Sequence, residues 1–454
     1  MIFEQHYLEC LSQASYLIAD ESTGRAVVID PRRDIAPYLA TAAEHGLQIE
    51  MVIETHFHAD FLSGHLELAA ATGAEIAYGD VATTGFDSRK LAHGERWSLG
   101  TIELEIRHTP GHTPESISVV VHDGDEIFGV LTGDALFVGD VGRPDLLSSR
   151  GVTSEDLGAM LFDSLHEQLM TLPDTTKIFP AHGAGSACGK NLSTETSSTI
   201  GEQRATNYAL APMTKEAFVA VVTEGQTAPP AYFSYDAHLN RENRPLLDED
   251  SPPPSMTLDK VIRAQRRGAV VLDTRDPNEF SVGHIIGAIN VGLAGRYAEF
   301  AGGVVQPGAS IVLVADPGTE MEAKVRLARI GFDSVVGFLD DPVGSLAANP
   351  DEVGQSRRLE VGQLIAAQTE GDIQLVDIRQ PGETALGTIA GALEIPLTRL
   401  NQELASLDAS RPTVVFCAGG YRSSIAASLL RSAGFGDVAD LLGGYGAWVA
   451  AAAI

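Results

Sequence analysis

Two histidines and one aspartate, each in its own motif, are the residues whose chemistry can be read first from the sequence. His56 lies in Thr-His-Phe-His-Ala-Asp, His112 in Thr-Pro-Gly-His-Thr, and Asp134 at the end of Thr-Gly-Asp. Two imidazoles and one carboxylate make a facial set of three ligands, which leaves open positions on an octahedral ion. This set suits non-haem Fe(II), which must hold a substrate and O₂ at once. We therefore expect one Fe(II) per chain at these residues.

A cysteine near the end of the chain lies in a loop with the composition of a sulfur-transfer site. Cys417 is followed by Gly419 and Gly420 and then by Arg422 and Ser423. An apolar strand precedes the loop and a predicted helix follows it, so backbone N–H groups and a helix N-terminus should face the sulfur. This positive end, with the arginine, would stabilise a thiolate or persulfide that accepts and passes on sulfane sulfur. An iron oxygenase centre and a sulfur carrier in one chain point to sulfur oxidation.

The composition limits the classes of partner. The 454 residues, 44% hydrophobic and 20% charged, are enough for about three globular domains of ~150 residues each. A formal net charge of −30 argues against a nucleic-acid or anionic-membrane surface. No apolar run approaches the ~20 residues that span a bilayer, and no secretory signal is visible. The 3 cysteines are too few for a disulfide framework and fit a reducing cytoplasm.

The order of predicted elements indicates an α/β protein. Residues 1 to about 200 contain short apolar stretches separated by Gly, Asp and Pro, many of them antiparallel in type, with helices predicted over 64–72 and 154–171. The candidate ligands follow strands, at the loop ends where function usually lies. Residues 205–255 contain several proline clusters, and we interpret them as a connector.

The C-terminal half contains an internal repeat. Val270-Val-Leu-Asp-Thr-Arg275 recurs about a hundred residues later as Gln374-Leu-Val-Asp-Ile-Arg379, and each copy continues with a second strand and a helix ending in Gly-Phe. Strands that alternate with helices predict two small parallel-sheet α/β domains. We align Asp316 of the first copy with Cys417 of the second. Because a carboxylate cannot carry sulfur, the first copy is expected to be inactive.

The N-terminal motifs resemble those of the metallo-β-lactamase superfamily, and within it those of the persulfide dioxygenases. The resemblance covers residues 1 to about 205 and rests also on Gly142-Arg-Pro-Asp145 and Phe179-Pro-Ala-His-Gly183. It implies an αββα sandwich. It also implies that the two histidines and the aspartate named first hold the iron.

The same resemblance gives expected roles to further polar residues. His58, Asp60 and His182 would orient the ligands, hydrogen-bond the substrate or bind a second metal ion. Arg143 would lie near the thiol substrate or would form a surface ion pair. Cys188, six residues after His182, would relay sulfur or would be a small buried residue in a Gly-rich loop.

The repeat resembles rhodanese modules, and the domain order resembles bacterial fusions of a persulfide dioxygenase with a sulfurtransferase. We expect a metallo-β-lactamase-like domain with its connector over 1–245, a rhodanese-like domain without the active cysteine over 256–345, and a rhodanese domain with active Cys417 over 357–454. The resemblance implies that O₂ oxidises a low-molecular-weight persulfide to sulfite, which then takes sulfur from Cys417 to form thiosulfate. It further implies a homo-oligomer, a dimer or a tetramer, in a cytoplasmic protein that clears sulfide.

Two rival interpretations stay open. A glyoxalase-II-type thioester hydrolase holds two zinc ions and needs a histidine directly after the aspartate of its HxHxDH motif, where this chain has Phe61. The departure favours one metal, although His58, Asp60 and His182 could still bind a second. A non-catalytic sulfur carrier with a structural metal is the other rival, and three protein ligands with vacant positions argue against it.

Overall fold

A computed structural model describes residues 1–146, 151–226 and 228–452 of the chain. Two compact units divide these residues. The first consists of Met1–Pro229, Phe233–Leu247 and Arg329–Gly331, and the second of the remaining described residues. Within the described ranges, no helix has the length and apolar character needed to cross a bilayer.

Two six-stranded sheets form the first unit. In spatial order, the strands of the first sheet are β1 (Ile2–Leu8), β2 (Gln13–Asp20), β3 (Arg25–Ile29), β4 (Gln48–Ile53), β5 (Glu75–Gly79) and β6 (Arg89–Leu91). The second sheet contains β7 (Arg96–Ser98), β8 (Ile102–His108), β9 (Ile117–Asp123), β10 (Glu126–Gly133), β11 (Lys177–Pro180) and β12 (Ser198–Thr199). In the second sheet all neighbouring strands are antiparallel except β10 and β11, which are parallel.

Helices pack on the outer faces of both sheets. They are α1 (Ala36–His45), α2 (His65–Thr72), α3 (Ser154–Asp163), α4 (Ile200–Thr206) and α5 (Lys215–Thr223), and a further helix, α6 (Phe233–Leu239), follows them in the chain. A π-helical turn over Ser164–Leu169 extends α3, and a 3₁₀ turn covers Tyr208–Leu210.

Strand β2 shows how the sequence produces this layering. All eight of its residues are buried. Because successive side chains on a strand point to opposite faces, Tyr16 and Ile18 pack into the core between the sheets, while Leu17 and Ala19 pack with Tyr38 of α1 on the outer face. The result is the αββα sandwich that the resemblance implied.

The second unit begins with a small α/β domain. Its strands are β13 (Ser255–Met256), β14 (Val270–Asp273), β15 (His284–Ile285), β16 (Ile289–Asn290), β17 (Ile311–Val314), β18 (Val335–Leu339) and β19 (Val353–Gly354). Its helices are α7 (Leu258–Arg266), α8 (Pro277–Val282), α9 (Tyr297–Val304), α10 (Glu320–Ala328) and α11 (Pro342–Ala347), with a 3₁₀ turn over Pro350–Glu352. Five strands form a parallel sheet in the order β13-β18-β17-β14-β16, and β15 pairs with β19.

A second domain of the same design follows. Its strands are β20 (Arg357–Leu359), β21 (Gln374–Asp377), β22 (Leu393–Glu394), β23 (Thr413–Phe416) and β24 (Val438–Leu441). Its helices are α12 (Val361–Glu370), α13 (Pro381–Thr384), α14 (Leu397–Glu403), α15 (Tyr421–Ser432) and α16 (Gly444–Ala452), with a 3₁₀ turn over Leu404–Ser406. The parallel sheet has the order β20-β24-β23-β21-β22, which repeats the order of the preceding domain.

The repeated Asp-x-Arg motif has the same role in both domains. The Arg275 guanidinium donates to the Asp273 carboxylate at 2.6 Å and to the Gly283 carbonyl at 3.0 Å. Arg379 donates to Asp377 and to a glycine carbonyl eight residues on, both at 2.7 Å. Each buried arginine therefore ties the end of a central strand to the loop that follows the next helix. Two small parallel α/β domains, as predicted, complete the chain.

The strand register corrects the alignment of the two copies by one residue. Asp273 pairs with Val314 in the first domain, and Asp377 pairs with Phe416 in the second. Because Asp273 and Asp377 are equivalent, Val314 is equivalent to Phe416, and the residue after Val314 is equivalent to the residue after Phe416. Ala315, not Asp316, therefore occupies the position of Cys417. The exposed Asp316 lies one place further along. The sequence comparison missed this because both loops are short and differ in composition.

Candidate functional site

The candidate metal ligands lie at the carboxyl ends of strands. His56 follows β4, His112 follows β8, and Asp134 directly follows β10. Strands β8 and β10 are each antiparallel to β9, so they run in the same direction and end at the same edge of the sheet. His182 follows β11, which is parallel to β10 and ends at that edge as well. Residues up to 126 positions apart in the sequence (56 to 182) are thus brought together.

Three buried ligand atoms face one another at this edge. The Oδ2 atom of Asp134 lies 3.4 Å from His112 Nε2 and 3.8 Å from His56 Nε2. The carboxylate oxygen and His56 Nε2 have no hydrogen-bond partner among the described residues, and all three side chains are at most 1% exposed. Buried polar atoms are almost always paired, so orphaned atoms that converge in this way fit a bound cation.

The other nitrogen of each imidazole fixes its orientation. The Nδ1 atom of His112 lies 2.9 Å from the backbone carbonyl of Arg143, to which it can only donate. The Thr55 hydroxyl donates to Asp30 at 2.8 Å and therefore accepts from the Nδ1–H of His56 at 3.0 Å. Both rings are then in the tautomer that leaves the Nε2 lone pair for a metal.

Gly142 allows the loop that carries this carbonyl to approach the metal ligands. A Cβ atom at this position would lie 2.0 Å from the carbonyl oxygen of Asp134 and 3.0 Å from Nδ1 of His112. Only a glycine can take such a close approach of backbone to backbone. The Gly-Arg-Pro-Asp motif thus shapes the site through its main chain.

His182 contacts the oxygen of Asp134 that does not face the two candidate histidine ligands. Its Nδ1 lies 2.8 Å from Asp134 Oδ1, and its Nε2 lies 2.7 Å from Asp60 Oδ2. Burial alone would lower the pKa of His182, but the two carboxylates outweigh it and raise the pKa well above its ordinary value. Burial would raise the pKa of Asp134, but the surrounding histidines hold it well below its ordinary range. The carboxylate is therefore ionised and ready to bind a cation.

The imidazole of His58 belongs to a second buried cluster. Its Nε2 lies 3.0 Å from Asp30 Oδ1 and 3.5 Å from Glu54 Oε2. Burial opposes the charge, but the two carboxylates raise the pKa of His58 to about 10. His65 adds a further ring beside Glu54, at 3.6 Å. The second histidine of the HxHxD motif is thus held by acidic residues that the sequence reasoning did not single out.

Asn240 is another residue that the sequence reasoning missed. It lies just beyond α6, in the segment that we interpreted as a connector, and is 1% exposed. Its Nδ2 donates to the carbonyls of His58 and Phe61, both at 2.8 Å, and its Oδ1 accepts from the N–H of Ser63 at 2.9 Å. One side chain therefore clamps the loop that contains Asp60.

A buried ion pair attaches the same segment to the domain. Glu67 on α2 accepts from Arg33 at 3.0 Å and from Arg244 at 2.6 Å. Burial would raise the pKa of Glu67, but the two arginines outweigh it and lower the pKa. The carboxylate satisfies two buried cations whose positions in the sequence are more than two hundred residues apart (33 and 244).

Cys188 and Arg143 are both buried near the candidate metal ligands. The thiol of Cys188 forms a buried group with Asp60 and His182, in which the candidate ligand atoms lie within 4.8 Å of one another. Burial, and then the carboxylates of Asp60 and Asp134, raise the pKa of this thiol well above its ordinary value. Arg143 is 1% exposed, pairs with Asp145 at 2.7 Å and donates to the Ala187 carbonyl at 3.2 Å. Their roles in sulfur relay and substrate binding stay predictions.

The sulfur-transfer loop in the second unit closes around Cys417. The sulfur accepts a hydrogen bond from the N–H of Gly420 at 3.0 Å and lies 3.6 Å from the Ser423 hydroxyl. Gly420 has a φ of 102°, in the region that favours glycine, and directly precedes α15. The cysteine is 1% exposed, whereas Ala418 and Gly419 beside it are exposed. The loop therefore directs the Gly420 N–H and the N-terminus of α15 towards the buried sulfur, while the residues directly after the cysteine are exposed to solvent.

Two residues at the start of α15 connect the loop to its surroundings. Arg422 donates two hydrogen bonds of 2.7 Å to the carboxylate of Glu383. The Tyr421 hydroxyl donates to the carbonyl of Gly292, in the preceding α/β domain, at 2.6 Å. Both domains lie in the same compact unit. The domain without a cysteine thus contacts the helix next to the candidate sulfur carrier.

Two protein-family profiles match three stretches of the chain. The profile of the Metallo-beta-lactamase superfamily matches residues 8–182, and the profile of the Rhodanese-like domain matches residues 257–341 and 360–451. The chain is 31% identical over 210 residues to the human mitochondrial persulfide dioxygenase ETHE1. This alignment covers 46% of this chain and 75% of that protein. It is 38% identical over 174 residues to a hydroxyacylglutathione hydrolase from Polaromonas sp., covering 37% of this chain and 61% of that protein.

A solved structure matches a larger part of the chain. The crystal structure described as a metallo-beta-lactamase from Staphylococcus aureus superposes with a TM-score of 0.69 at 34% sequence identity. The match covers 75% of this chain and 99% of the other. The similarity therefore extends beyond the first domain.

Proposed function

Because this chain belongs to the metallo-β-lactamase superfamily, with persulfide dioxygenase relatives and two rhodanese-like domains, we propose that it is a persulfide dioxygenase coupled to a sulfurtransferase. The overall first reaction would convert a low-molecular-weight persulfide, O₂ and water into the free thiol, sulfite and two protons. The second would convert sulfite into thiosulfate. We further propose a cytoplasmic homo-oligomer, a dimer or a tetramer.

The observation that carries this proposal is the set of three converging ligand atoms. His56 and His112 offer Nε2 lone pairs, and Asp134 offers an ionised oxygen with no other partner among the described residues. A two-histidine, one-carboxylate set is the donor set of non-haem iron oxygenases. When bound, Fe(II) would supply the activation of O₂, which no side chain can provide.

The neighbouring residues support one metal ion instead of two. Phe61 stands where a two-zinc hydrolase has a histidine. His182 has a carboxylate oxygen within 2.8 Å of each of its ring nitrogens, and His58 Nε2 lies 3.0 Å from Asp30 Oδ1, so both imidazoles already face carboxylates. These residues instead hold Asp60 and the loop around the ligands in place.

Cys417 would carry the sulfur of the second reaction. The Cys417 thiolate would first attack the outer sulfur of a second low-molecular-weight persulfide, whose sulfur–sulfur bond breaks and releases the free thiol. A sulfite lone pair then attacks the outer sulfur of the resulting Cys417 persulfide, and the sulfur–sulfur bond breaks with its electron pair staying on Sγ. The products are thiosulfate and a thiolate, so charge and atoms balance. The Gly420 N–H, 3.0 Å from Sγ, would stabilise the departing thiolate.

Replacement of one ligand tests the first reaction. His112→Ala should abolish iron binding and persulfide-dependent O₂ uptake together, because two protein ligands cannot retain the ion. His122→Ala is the matched control, since His122 lies on β9 in an ion pair with Glu105 at 3.1 Å. Full O₂ uptake by the His112 variant would remove this residue from the ligand set.

Replacement of the cysteine tests the second reaction. Cys417→Ser should shift the product from thiosulfate towards sulfite while O₂ uptake continues, because only the sulfur carrier is lost. Cys10→Ser, which changes a half-buried cysteine of the first unit, should leave the product ratio unchanged. An unaltered thiosulfate yield without Cys417 would disprove the sulfur-transfer role.

One observation favours a second candidate function. The identity to a hydroxyacylglutathione hydrolase, 38% over 174 residues, exceeds the identity to the human persulfide dioxygenase. A thioester hydrolase of this kind would hold two zinc ions, using Asp60 and His182 for the second. Metal analysis of the purified protein separates the candidates, since one iron per chain supports the dioxygenase and two zinc ions support the hydrolase.

A further inference from the structure

We propose that Glu383 competes with sulfur oxyanions for Arg422 and so sets how tightly the Cys417 loop binds sulfite and thiosulfate. The inference rests on the sulfur-transfer role proposed above and adds a residue that determines anion affinity. Glu383 belongs to α13, outside the loop, and its carboxylate is partly exposed.

Glu383 and Arg422 form a bidentate ion pair, and neighbouring groups fix the position of Glu383. Arg422 Nη1 and Nη2 each lie 2.7 Å from one oxygen of Glu383. The backbone N–H of Gln380 donates to the same carboxylate at 3.0 Å, and Arg379 donates to the Glu383 carbonyl at 3.3 Å. Fork-to-fork pairs of this kind are among the stronger hydrogen-bonded contacts in proteins. The carboxylate is therefore fixed where it occupies two donors of the arginine.

The Glu383–Arg422 pair reduces the number of hydrogen-bond donors that the Cys417 loop has available for an anion. Arg422 is the first basic residue after Cys417, and its guanidinium bonds are the ones that a sulfite or thiosulfate dianion would use. Hydrogen bonding to Glu383 raises the pKa of Arg422, so the charge is permanent but already paired. A dianion must displace the carboxylate or share the arginine with it. The anion is then bound weakly, which favours release of thiosulfate after transfer.

Comparison of the two repeated domains supports a link with the cysteine. Gly318 and Gly420, both with positive φ (91° and 102°), correspond when Ala315 is aligned with Cys417. In that alignment Glu320 corresponds to Arg422, while the carboxylate of Glu383 on α13 is retained as Glu279 on α8. A glutamate–arginine pair at these positions can therefore form only in the domain that has the cysteine.

Protection of Cys417 from alkylation measures the effect without any turnover. The probe is sulfate, which carries the oxyanion charge of sulfite but reacts neither with a free thiol nor with iodoacetamide, and the readout is iodoacetamide labelling of the Cys417 peptide by mass spectrometry. Each protein is normalised to its own labelling rate without sulfate. We expect Glu383→Gln to lower the half-protecting sulfate concentration at least fivefold, because a neutral amide holds the guanidinium less tightly.

The substitution is conservative and has a matched control. The side-chain oxygen of glutamine can still accept the Gln380 N–H, so the first turn of α13 keeps its cap. Glu394→Gln removes an exposed carboxylate of the same domain, one that accepts from Thr384 at 2.6 Å. This control should stay within twofold of the wild type. A gain of equal size in both variants would show a general charge effect and would overturn the proposal.

A double-mutant cycle separates competition for the arginine from simple repulsion. In an Arg422→Gln background, Glu383→Gln should no longer improve protection, because there is no guanidinium to release. A gain that persists without Arg422, or no protection of the Glu383 variant at any sulfate concentration, overturns the proposal. Thiosulfate yield is measured separately, so loss of the proposed sulfur-transfer function would be seen independently of anion binding.

Discussion

Replacement of Asn240 gives a quantitative test of how the loop that contains Asp60 is held in place. Replacing Asn240 by alanine removes three buried hydrogen bonds, to the carbonyls of His58 and Phe61 and from the N–H of Ser63, each between 2.8 and 2.9 Å. A buried polar group left without a partner costs about 1–3 kcal/mol. Three such groups give a loss of at least about 3 kcal/mol in the free energy of unfolding of the first unit.

The two tryptophans allow this loss to be assigned to the correct unit. Trp97 lies in the first compact unit and Trp448 in the second. In a Trp448→Phe background, fluorescence during urea unfolding reports only the first unit, so a single transition can be analysed. Asn243→Ala, at an exposed position three residues away, is the control and should change stability by less than about 0.5 kcal/mol.

Iron content provides the second readout for the same variant. The loop held by Asn240 contains Asp60, which contacts His182 and through it the candidate ligand Asp134. Loosening the loop should therefore reduce the iron retained after desalting as well as stability. A loss below 1 kcal/mol together with unchanged iron retention would refute the idea that Asn240 organises the site.

Three further predictions concern other contacts. Glu67→Gln should destabilise the first unit by about 3–5 kcal/mol, because it leaves two buried arginines without a carboxylate. Since the pKa of Glu67 is lowered in the folded state, the stability that this carboxylate contributes should be present at neutral pH and should be lost as the pH falls through the folded pKa. Urea midpoints measured against pH test this dependence. Tyr421→Phe, which removes the 2.6 Å bond to Gly292, should slow thiosulfate formation several-fold without changing O₂ uptake, and equal rates would show that the bond is irrelevant to transfer. Phe61→His restores the missing nitrogen ligand and should raise metal content from one ion towards two per chain; an unchanged count would mean that another feature excludes the second ion.

The fold, and the residues that converge as candidate ligands, could be predicted because their sequence signals are local. His56, His112 and Asp134 lie in short motifs directly after strands, and apolar periodicity marks those strands. The two parallel α/β domains followed from strands that alternate with helices, whereas the αββα sandwich followed from the resemblance to the metallo-β-lactamase superfamily. Strand ends that meet at one edge then bring the motifs together.

The supporting residues could not be predicted because their partners are distant. Asn240 contacts a loop about 180 residues earlier, and nothing around it distinguishes it from the rest of the proline-containing connector. The pairing of Glu383 with Arg422 likewise joins two helices that only the folded sheet brings together. The alignment of Asp316 with Cys417 was wrong by one residue because strand register, which decides it, is a tertiary property.

The most direct test of the central claim is made on one preparation of the wild-type protein. Metal content is measured first, followed by O₂ uptake with glutathione persulfide and hydrolysis of S-lactoylglutathione. The proposed function predicts close to one iron per chain, O₂ consumption that depends on the persulfide, and no thioester hydrolysis. Two tightly bound zinc ions, with thioester hydrolysis and no O₂ consumption even after iron loading, would contradict it.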